Sequence, residues 1–374
     1  MPSAAATAGS ALHEVPASAS VAALAQVLAQ ATQPLVLRAL VADWPLVRAG
    51  LQAGLQAGLG TDLGTDLGTG LGTGFQAESR TNLQTSQAVC SYLRGFYRGA
   101  TVDAWLGDAS IEGRFFYNDD FTGFNFRPQR LRLDDVLDQL LQQVSAPRPG
   151  AIYVGSTTID TCLPGLRAAN PIDLGPRDAL VSLWLGNRTR IAAHQDLPHN
   201  LACVAAGRRR FTLFPPDQVG NLYIGPLDLT PAGQAISLVD FAQPDWARFP
   251  RFEQALQHAL VAELGPGDAV FIPSLWWHHI EALDPFNVLV NCWWRDSPAH
   301  MDSPMNALMH TLMSVRDLPA EQRQAWAQLF EHYVFGADEN TAAHIPPHAR
   351  GVLAPLDDHS QRVLRARLLK KLNR

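Results

Sequence analysis

Short apolar and aromatic segments, separated by Gly, Pro, Asn and Asp, dominate the middle of the chain. Runs of this type are typical of β-strands joined by turns. Between Arg114 and Arg295 they read RFFYNDD, GFNF, AIYVGS, ALVSLWLGN, RRRFTLFPP, GPGDAVFIP, WWHHIEAL and FNVLVNCWWR. One helical pattern, Leu133 to Val144, interrupts them. We therefore predict a mainly β fold, an antiparallel double-sheet barrel of the jelly-roll kind.

The last part of the chain has a different pattern, in which apolar residues recur with the period of an α-helix. The three stripes are Met305, Leu308, Met309 and Leu312, then Trp326, Leu329, Phe330 and Tyr333, then Leu364, Leu368 and Leu372. Such stripes need cover, and two-fold pairing of identical patches is the commonest arrangement in soluble oligomers. We expect a homodimer through the C-terminal helices; the alternative is that the stripes pack on the barrel of their own chain.

Before the barrel, the pattern predicts less regular structure. Residues 1–20 are rich in Ala and Ser and are expected to be frayed. A short helical pattern covers Val21 to Leu28, and an apolar strand-like run covers Pro34 to Val41. The expected organisation has three parts, which are an N-terminal region at 1–110, the β-barrel at 111–300 and a C-terminal helical region at 301–374.

Residues 51–74 form a tract of tetrapeptides, LQAG LQAG LGTD LGTD LGTG LGTG. Glycine costs about 1 kcal/mol relative to alanine inside a helix, so this tract is not expected to form one. A calcium-binding repeat is an alternative, but such repeats are longer and richer in Asp, and only Asp62 and Asp66 are present. We predict a flexible insertion in a surface loop, which is tolerated because loop-closure entropy grows slowly with length.

Composition and charge narrow the class of protein. The chain of 374 residues is 47% hydrophobic and 17% charged, which is typical of a globular protein. Its formal net charge of −6 provides no overall attraction for nucleic acid, so no nucleic-acid partner is expected. No apolar run reaches the roughly 18 residues of a transmembrane helix, and the N-terminus lacks the pattern of a secretory signal. We expect a cytoplasmic protein with no membrane partner.

The cysteines are far apart in the sequence and form no CxxC pair. They are Cys90, Cys162, Cys203 and Cys292. This spacing argues against a zinc ribbon or a redox motif. Reduced thiols are expected in the cytoplasm.

One pair of residues has the chemistry of a metal site. In RIAAHQDLPHN, His194 and Asp196 lie two positions apart on a predicted strand, so their side chains leave from the same face. An imidazole and a carboxylate can chelate one ion, and iron(II) that must also bind a co-substrate and dioxygen needs a second histidine. His199 lies at an odd spacing from His194 and is left out of the predicted ligand set. An H-x-D pair alone has little specificity, so its context decides.

A second histidine is available in GPGDAVFIPSLWWHHIEAL. Here a Pro-Gly-Asp turn leads into an apolar strand, a bend at Pro273 and a further strand that carries His278 and His279. Adjacent residues on a strand point to opposite faces, so only one of the two can join the metal. Periodicity alone does not decide whether His278 or His279 is the metal ligand.

Several segments together resemble a known family. RTRIAAHQDLPHN, GRRRFTLFPP, GPGDAVFIPSLWWHHIEAL and VLVNCWW are similar to the bacterial cupin-like JmjC proteins and to the asparaginyl hydroxylase that modifies hypoxia-inducible factor. The resemblance implies a double-stranded β-helix and an Fe(II)- and 2-oxoglutarate-dependent oxygenase that uses dioxygen to hydroxylate a C–H bond. In that family the histidine directly after the tryptophan pair is a metal ligand, which implies His278 together with His194 and Asp196.

The resemblance also implies residues that bind the co-substrate. The family holds the distal carboxylate of 2-oxoglutarate with a basic residue that matches Arg209, although relatives often have lysine there. A guanidinium can grip a carboxylate with two parallel hydrogen bonds. Tyr153, Asn200 and Asn291 match other co-substrate positions, with barrel packing and backbone hydrogen bonding as alternative roles for the first and last. A family threonine is replaced by Ile191, so co-substrate affinity or geometry is expected to differ.

Two other classes of function remain open. A catalytically silent cupin used for binding or assembly has the same fold, because fold does not imply function; the complete triad argues against it. Another metal-dependent cupin enzyme, such as an isomerase, usually presents more histidines to the metal and would leave the pocket from Arg209 to Asn291 without a purpose. The substrate, a protein side chain or a small molecule, is not identified by the sequence.

Overall fold

A computed structural model describes residues 9–15, 17–59 and 72–373. The chain divides into two compact units, one ending at Trp294 and the other beginning at Arg295. In the described ranges, no helix is long and apolar enough to cross a membrane.

The first unit is built on two β-sheets. The strands are β1 Ser10–Ala11, β2 His13–Val15, β3 Leu35–Leu37, β4 Thr101–Gly107, β5 Arg114–Phe115, β6 Phe126–Arg132, β7 Ala151–Thr158, β8 Leu180–Gly186, β9 Arg190–Gln195, β10 His199–Ala206, β11 Arg209–Phe214, β12 Leu260–Leu264, β13 Ala269–Ile272, β14 Trp277–Ala282 and β15 Asn287–Trp294. Their order is β1-β12-β11-β14-β9-β5 in the six-stranded sheet and β2-β3-β13-β10-β15-β8-β7-β4-β6 in the nine-stranded sheet.

The strands from β8 to β15 cross repeatedly between the two sheets and pair mainly antiparallel. This arrangement confirms the predicted double-stranded β-helix. Inward-facing residues of both sheets meet in one apolar core that includes Phe211, Leu213 and Leu289. Alternate residues of the same strands face outward, and those of the nine-stranded sheet pack on the flanking helices.

The helices flank the barrel in the first unit and make up most of the second. They are α1 Ala17–Gln30, α2 Pro45–Leu59, α3 Gly72–Phe96, α4 Leu133–Gln143, α5 Ile159–Cys162, α6 Leu166–Ala169 and α7 Phe252–Gln257, followed by α8 Pro304–Ser314, α9 Ala320–Phe330 and α10 Asp358–Leu372. Helix α4 and the last three form where the apolar periodicity predicts helices. Because these stripes have the helical period, they place their apolar residues on one face.

The N-terminal residues are more ordered than predicted. β1 pairs with β12, and β2 pairs with β3, which in turn pairs with β13. The predicted fraying of residues 1–20 is therefore wrong for 10–15, because strand pairing satisfies their backbone groups. Residues 1–8 and 16 lie outside the described residues. The predicted N-terminal region at 1–110 is likewise not separate from the barrel, since its described part adds strands to both sheets.

The prediction that glycines prevent a helix at residues 51–74 is wrong at both ends of that tract. Helix α2 continues to Leu59, and α3 begins at Gly72. Residues 60–71, with the predicted flexible part of the insertion, lie outside the described residues. Helix propensity is a weak preference that tertiary packing can override.

Close packing of α2 on α3 explains why a helix forms here despite its glycines. A β-carbon added to Gly50 would lie 3.0 Å from Val89 Cγ2, and one added to Gly54 would lie 3.2 Å from Thr85 Oγ1. The glycines therefore let the two helix backbones approach each other. Val47 is completely buried on the same helix, which indicates that apolar burial offsets the propensity cost.

Two glycine substitutions test this explanation. Gly50→Val is expected to lower the free energy of unfolding by about 1–3 kcal/mol, because it overpacks the contact with Val89. Gly95→Ala on α3 is expected to raise it by roughly 0.5 kcal/mol, since no atom lies within 4 Å of the added β-carbon. Urea denaturation followed by circular dichroism measures both. A stabilised Gly50→Val variant would contradict the close-packing account.

The four cysteines are all buried and free. Burial raises the pKa of the Cys90 and Cys292 thiols to about 12. The reactive thiolate form is therefore suppressed at these positions.

Candidate metal centre

β9 and β14 are adjacent antiparallel strands, and their register places His194 directly opposite His278. Asp196 follows β9 by one residue. The ligand atoms of these three side chains all lie within 4.8 Å of one another. The two imidazole centroids are 4.2 Å apart, and His278 Nε2 lies 3.5 Å from Asp196 Oδ2. The structure thus brings together the two histidines and the carboxylate that the sequence singles out.

Both imidazoles are oriented by backbone carbonyls. His194 Nδ1 lies 2.9 Å from the carbonyl oxygen of Ala192, and His278 Nδ1 lies 3.0 Å from that of Trp276. A carbonyl can only accept a hydrogen bond, so each Nδ1 carries the proton and donates it. Each Nε2 is left with a lone pair, which is the arrangement that a metal-binding histidine needs.

The protonation states also suit a metal ion. Burial, with a contribution from nearby His278, lowers the pKa of His194 to about 4. Burial by itself would raise the pKa of Asp196, but the nearby imidazoles of His278 and His194 lower it overall. A neutral imidazole and an ionised carboxylate are the forms that bind metal without first releasing a proton.

A β-bulge decides which residues accompany His194 on its face. The register between β9 and β14 shifts, so that Ile280 lies opposite Ile191 while His278 lies opposite His194. Between these two pairs, Ala192 and Ala193 of β9 lie opposite the single residue His279 of β14, which is the extra residue of the bulge. Ile191 consequently packs against the inward-facing Tyr153 cluster despite its odd spacing from His194.

The other two histidines near the centre are engaged elsewhere. His279 lies against Phe241, with ring centroids 4.4 Å apart, on the opposite face of β14. Burial, with the positive charges of Arg190 and Arg114, lowers the pKa of His279 to about 3, so its ring is neutral. His199 accepts a hydrogen bond from the Ser274 amide, at 3.1 Å from Nδ1. Neither belongs to the cluster of three ligand atoms.

The loop between β13 and β14 holds the backbone at Asp196 and Leu197 in place, a feature that the sequence did not reveal. The Leu275 amide donates to the carbonyl oxygen of Asp196 at 2.9 Å, and Ser274 Oγ donates to that of Leu197 at 2.5 Å. Leu275 has a left-handed backbone with φ of 66°. Only the strand bend at Pro273 hinted at this loop.

A buried cation lies on the inward face of β11. Arg209 is 2% exposed, and its Nε has no hydrogen-bond partner among the described residues. Burial lowers the pKa of Arg209 to about 10, which leaves it charged at neutral pH. A buried charge without a partner is unfavourable. The position therefore suits an anionic group that enters the barrel.

The remaining predicted co-substrate residues also face the barrel interior. Asn291 Nδ2 donates to Asn200 Oδ1 at 2.8 Å, while Asn291 Oδ1 has no partner among the described residues. Tyr153 is buried, and burial raises the pKa of its phenol above the usual range. Its hydroxyl is therefore protonated and available as a donor. Sequence reasoning missed further polar groups on this face that lack a partner among the described residues, which are the Ser182 hydroxyl and the indole N–H groups of Trp184 and Trp293.

The donor set fits iron(II) with a bidentate co-substrate. Two imidazoles and one carboxylate on one side of an ion leave its other positions open, which is the ligand arrangement of non-haem iron(II) oxygenases. Arg209 supplies a positive charge in the same barrel interior. Both features are properties of this chain's own side chains.

Comparisons with known proteins agree with the fold. Residues 69–300 match the family described as "Cupin-like domain". The chain is 35% identical over 129 residues to "Lysine-specific demethylase JMJ31" of Arabidopsis thaliana, which covers 33% of this chain and 23% of that protein. It is 31% identical over 150 residues to "HSPB1-associated protein 1" of Homo sapiens, which covers 39% of this chain and 30% of that protein.

Among solved structures, that of E. coli ycfD aligns with 76% of this chain and 60% of its own, with a TM-score of 0.32 and 15% identity. The alignments with the two relatives named above span less than a third of either relative's length.

Proposed function

This chain belongs to the cupin-like domain family, and on that premise we propose that it is an Fe(II)- and 2-oxoglutarate-dependent oxygenase that hydroxylates a C–H bond. The observation that carries the proposal is the cluster of His194, Asp196 and His278, with both Nε2 atoms free and a carboxylate beside them. We assign these three residues as the iron ligands.

When bound, iron with 2-oxoglutarate supplies the oxygen chemistry, in which dioxygen and 2-oxoglutarate give carbon dioxide, succinate and one oxygen atom for the substrate. The chain's residues bind and orient the reactants. Asp196 would neutralise part of the charge of a bound metal, and the Leu275 amide fixes the backbone that carries this carboxylate. The carbonyls of Ala192 and Trp276 orient the imidazoles so that their Nε2 lone pairs are available to a metal.

Arg209 is proposed to bind the distal carboxylate of 2-oxoglutarate. The guanidinium is already buried and charged, so a carboxylate that pairs with it removes an unfavourable isolated charge. Tyr153, Asn200 and Asn291 are proposed to complete the pocket with a hydroxyl and two amides. Trp276 is buried next to the centre and helps exclude water from it.

Arg209 also favours this function over the alternatives. A silent binding cupin has no need of a buried unpaired cation, which costs stability unless an anion binds. An isomerase of the cupin type would give the metal more histidines, whereas His199 and His279 are both engaged elsewhere. An oxygenase that binds a dicarboxylate uses both the three ligands and the cation.

The reaction class is proposed from two resemblances. The sequence resemblance to the asparaginyl hydroxylase favours a protein side chain, and one of the relatives reported above is named a lysine-specific demethylase. Hydroxylation of an N-methyl group gives an unstable product that releases formaldehyde, so one kind of site serves both reactions. We propose C–H hydroxylation of a protein side chain or a small molecule as the reaction.

The proposed reaction is tested by following 2-oxoglutarate itself. The purified protein is incubated with Fe(II), ascorbate and 1-¹⁴C-labelled 2-oxoglutarate, with and without cell lysate, and released ¹⁴CO₂ is counted. We expect lysate-stimulated release that His194→Ala abolishes. Products of +16 Da in the lysate would then identify the substrate. Absence of 2-oxoglutarate binding and of release in both mixtures would reject the oxygenase.

We also propose that the C-terminal unit mediates a homodimer. Residues of its stripes are exposed to solvent, for example Met309 at 43%, Leu329 at 43% and Tyr333 at 46%. Apolar residues on several neighbouring helices of one unit are typical of surfaces that pair with an identical copy.

Charge placed on these stripes is expected to dissociate the dimer. Met309→Arg combined with Leu329→Arg should convert it to a monomer at micromolar concentration, because two guanidinium groups per chain cannot be buried without partners. Light scattering coupled to size-exclusion chromatography measures the mass. Gln324→Arg with Gln328→Arg adds the same charge to the face of α9 opposite the stripe and should leave the dimer intact. A wild-type monomer would refute the proposal.

A further inference from the structure

One buried polar group of the barrel interior has no role in the function proposed above. Trp184 lies on β8, and its Nε1 is buried without a hydrogen-bond partner among the described residues. A buried indole N–H usually finds an acceptor, because an unpaired donor costs about 1–3 kcal/mol. This N–H therefore indicates an acceptor that enters the barrel from outside.

Trp184 lies beside the residues proposed to hold the distal carboxylate. Its ring packs against that of Tyr153, with centroids 5.7 Å apart. The positive charge of Arg209 acts on the pKa of the Tyr153 phenol, in the direction that lowers it. Ile191 packs on the same cluster as Trp184 and offers no polar atom. The Trp184 indole is consequently a donor on this side of the pocket, in the same cluster as the Tyr153 hydroxyl. The Trp293 indole packs on that of Trp184, with centroids 5.7 Å apart, and its N–H also lacks a partner among the described residues.

The backbone of β7 is shaped around this indole. The register between β7 and β8 shifts between Val154 and Thr157, which places a bulge opposite Trp184. Within the bulge, a β-carbon added to Gly155 would lie 3.1 Å from Trp184 Cζ3. A larger residue at this position would displace the ring. The bulge and the glycine together hold the indole in one place.

We propose that Trp184 Nε1–H donates a hydrogen bond to the distal carboxylate of bound 2-oxoglutarate, alongside Arg209 and Tyr153. A carboxylate has about four acceptor positions on its two oxygens, so it can accept from a guanidinium, a phenol and an indole at once. The guanidinium supplies charge, and the indole supplies a directional neutral bond. Trp184 is thus a co-substrate-binding residue, and Gly155 is its positioning residue. This inference rests on the proposed function.

Trp184→Phe tests the hydrogen bond, because it removes the N–H and keeps an aromatic ring. Binding is measured by calorimetry with Mn(II) in place of iron and without dioxygen, so no turnover is needed. The Kd for 2-oxoglutarate is expected to rise roughly tenfold. The Kd for 2-oxopentanoate, which has a methyl group in place of the distal carboxylate, should be the same in variant and wild type.

Two further variants separate the hydrogen bond from packing. Trp105→Phe changes another indole that packs on Tyr153, with centroids 5.3 Å apart, and should leave the Kd for 2-oxoglutarate unchanged. Gly155→Ala should weaken 2-oxoglutarate binding, because the added methyl group displaces the Trp184 ring. Thermal unfolding of each variant shows that it is folded.

The outcomes distinguish this inference from the function on which it rests. Wild-type protein that fails to bind 2-oxoglutarate with Mn(II) rejects the proposed function. Wild-type binding with no loss in Trp184→Phe overturns only the role of Trp184. If Trp184→Phe weakens the binding of 2-oxoglutarate and of 2-oxopentanoate equally, the effect comes from packing, and the proposed role of Trp184 is also overturned.

Discussion

His278→Ala is expected to lower the affinity for Fe(II) or Mn(II) by at least about 100-fold and to abolish 2-oxoglutarate turnover. His278 lies opposite His194 on the neighbouring strand, and its Nε2 is 3.5 Å from Asp196 Oδ2. Removal of one ligand from a set of three leaves a two-point site, which loses geometry as well as binding energy. Calorimetric titration of the apoprotein with Mn(II) measures the affinity directly.

His279→Ala is the matched control for this experiment. His279 is the adjacent residue on the same strand and is also buried, but it packs against Phe241 on the other face. The variant is expected to lose stability through a cavity while keeping its metal affinity and turnover. If His279→Ala lost metal binding while His278→Ala kept it, His279 and not His278 would be the metal ligand.

Arg209→Met is expected to weaken 2-oxoglutarate binding by about 10- to 150-fold, the equivalent of roughly 1.5–3 kcal/mol for a charged hydrogen bond. The side chain is almost completely buried, so solvent does not screen its interaction with a bound carboxylate. Metal affinity should be unchanged, because Arg209 is not among the three ligands.

The stability of the apoprotein gives a second test of Arg209. Replacement of an unpaired buried cation by an apolar side chain of similar length is often neutral or stabilising. Arg209→Met is therefore expected to unfold at the same or a higher temperature without ligand and to lose the stabilisation that excess 2-oxoglutarate confers on the wild type. A lower melting temperature without ligand would indicate that Arg209 has an internal partner.

Arg209→Lys and Arg210→Met complete this set. Lysine retains the charge but not the bidentate geometry, so it should recover part of the affinity. Arg210 is the neighbouring residue on the opposite face, where it forms ion pairs with Glu263 and Glu281. Its replacement should leave 2-oxoglutarate binding unchanged. Loss of binding in Arg210→Met would move the co-substrate to the other face of β11.

The sequence by itself determined features that depend on local periodicity. Alternating apolar residues specify strands, and the helical period specifies α4, α8, α9 and α10, because side-chain direction follows from position along a single element. The H-x-D spacing places His194 and Asp196 close together for the same reason. The double-stranded β-helix followed from the number and spacing of the strands, and the family resemblance supplied the choice of His278.

Only the tertiary structure decided the features that depend on contact between distant segments. The register of β9 against β14 sets His278 opposite His194 and introduces the bulge that turns Ile191 inward. Strand pairing orders residues 10–15, and close approach of α3 permits a helix through the glycines of α2. Register and packing depend on which segments of the chain meet, and the hydrophobic period within a single segment does not specify this. For the same reason, a buried group without a partner, such as the Trp184 N–H, can be identified only in the folded structure.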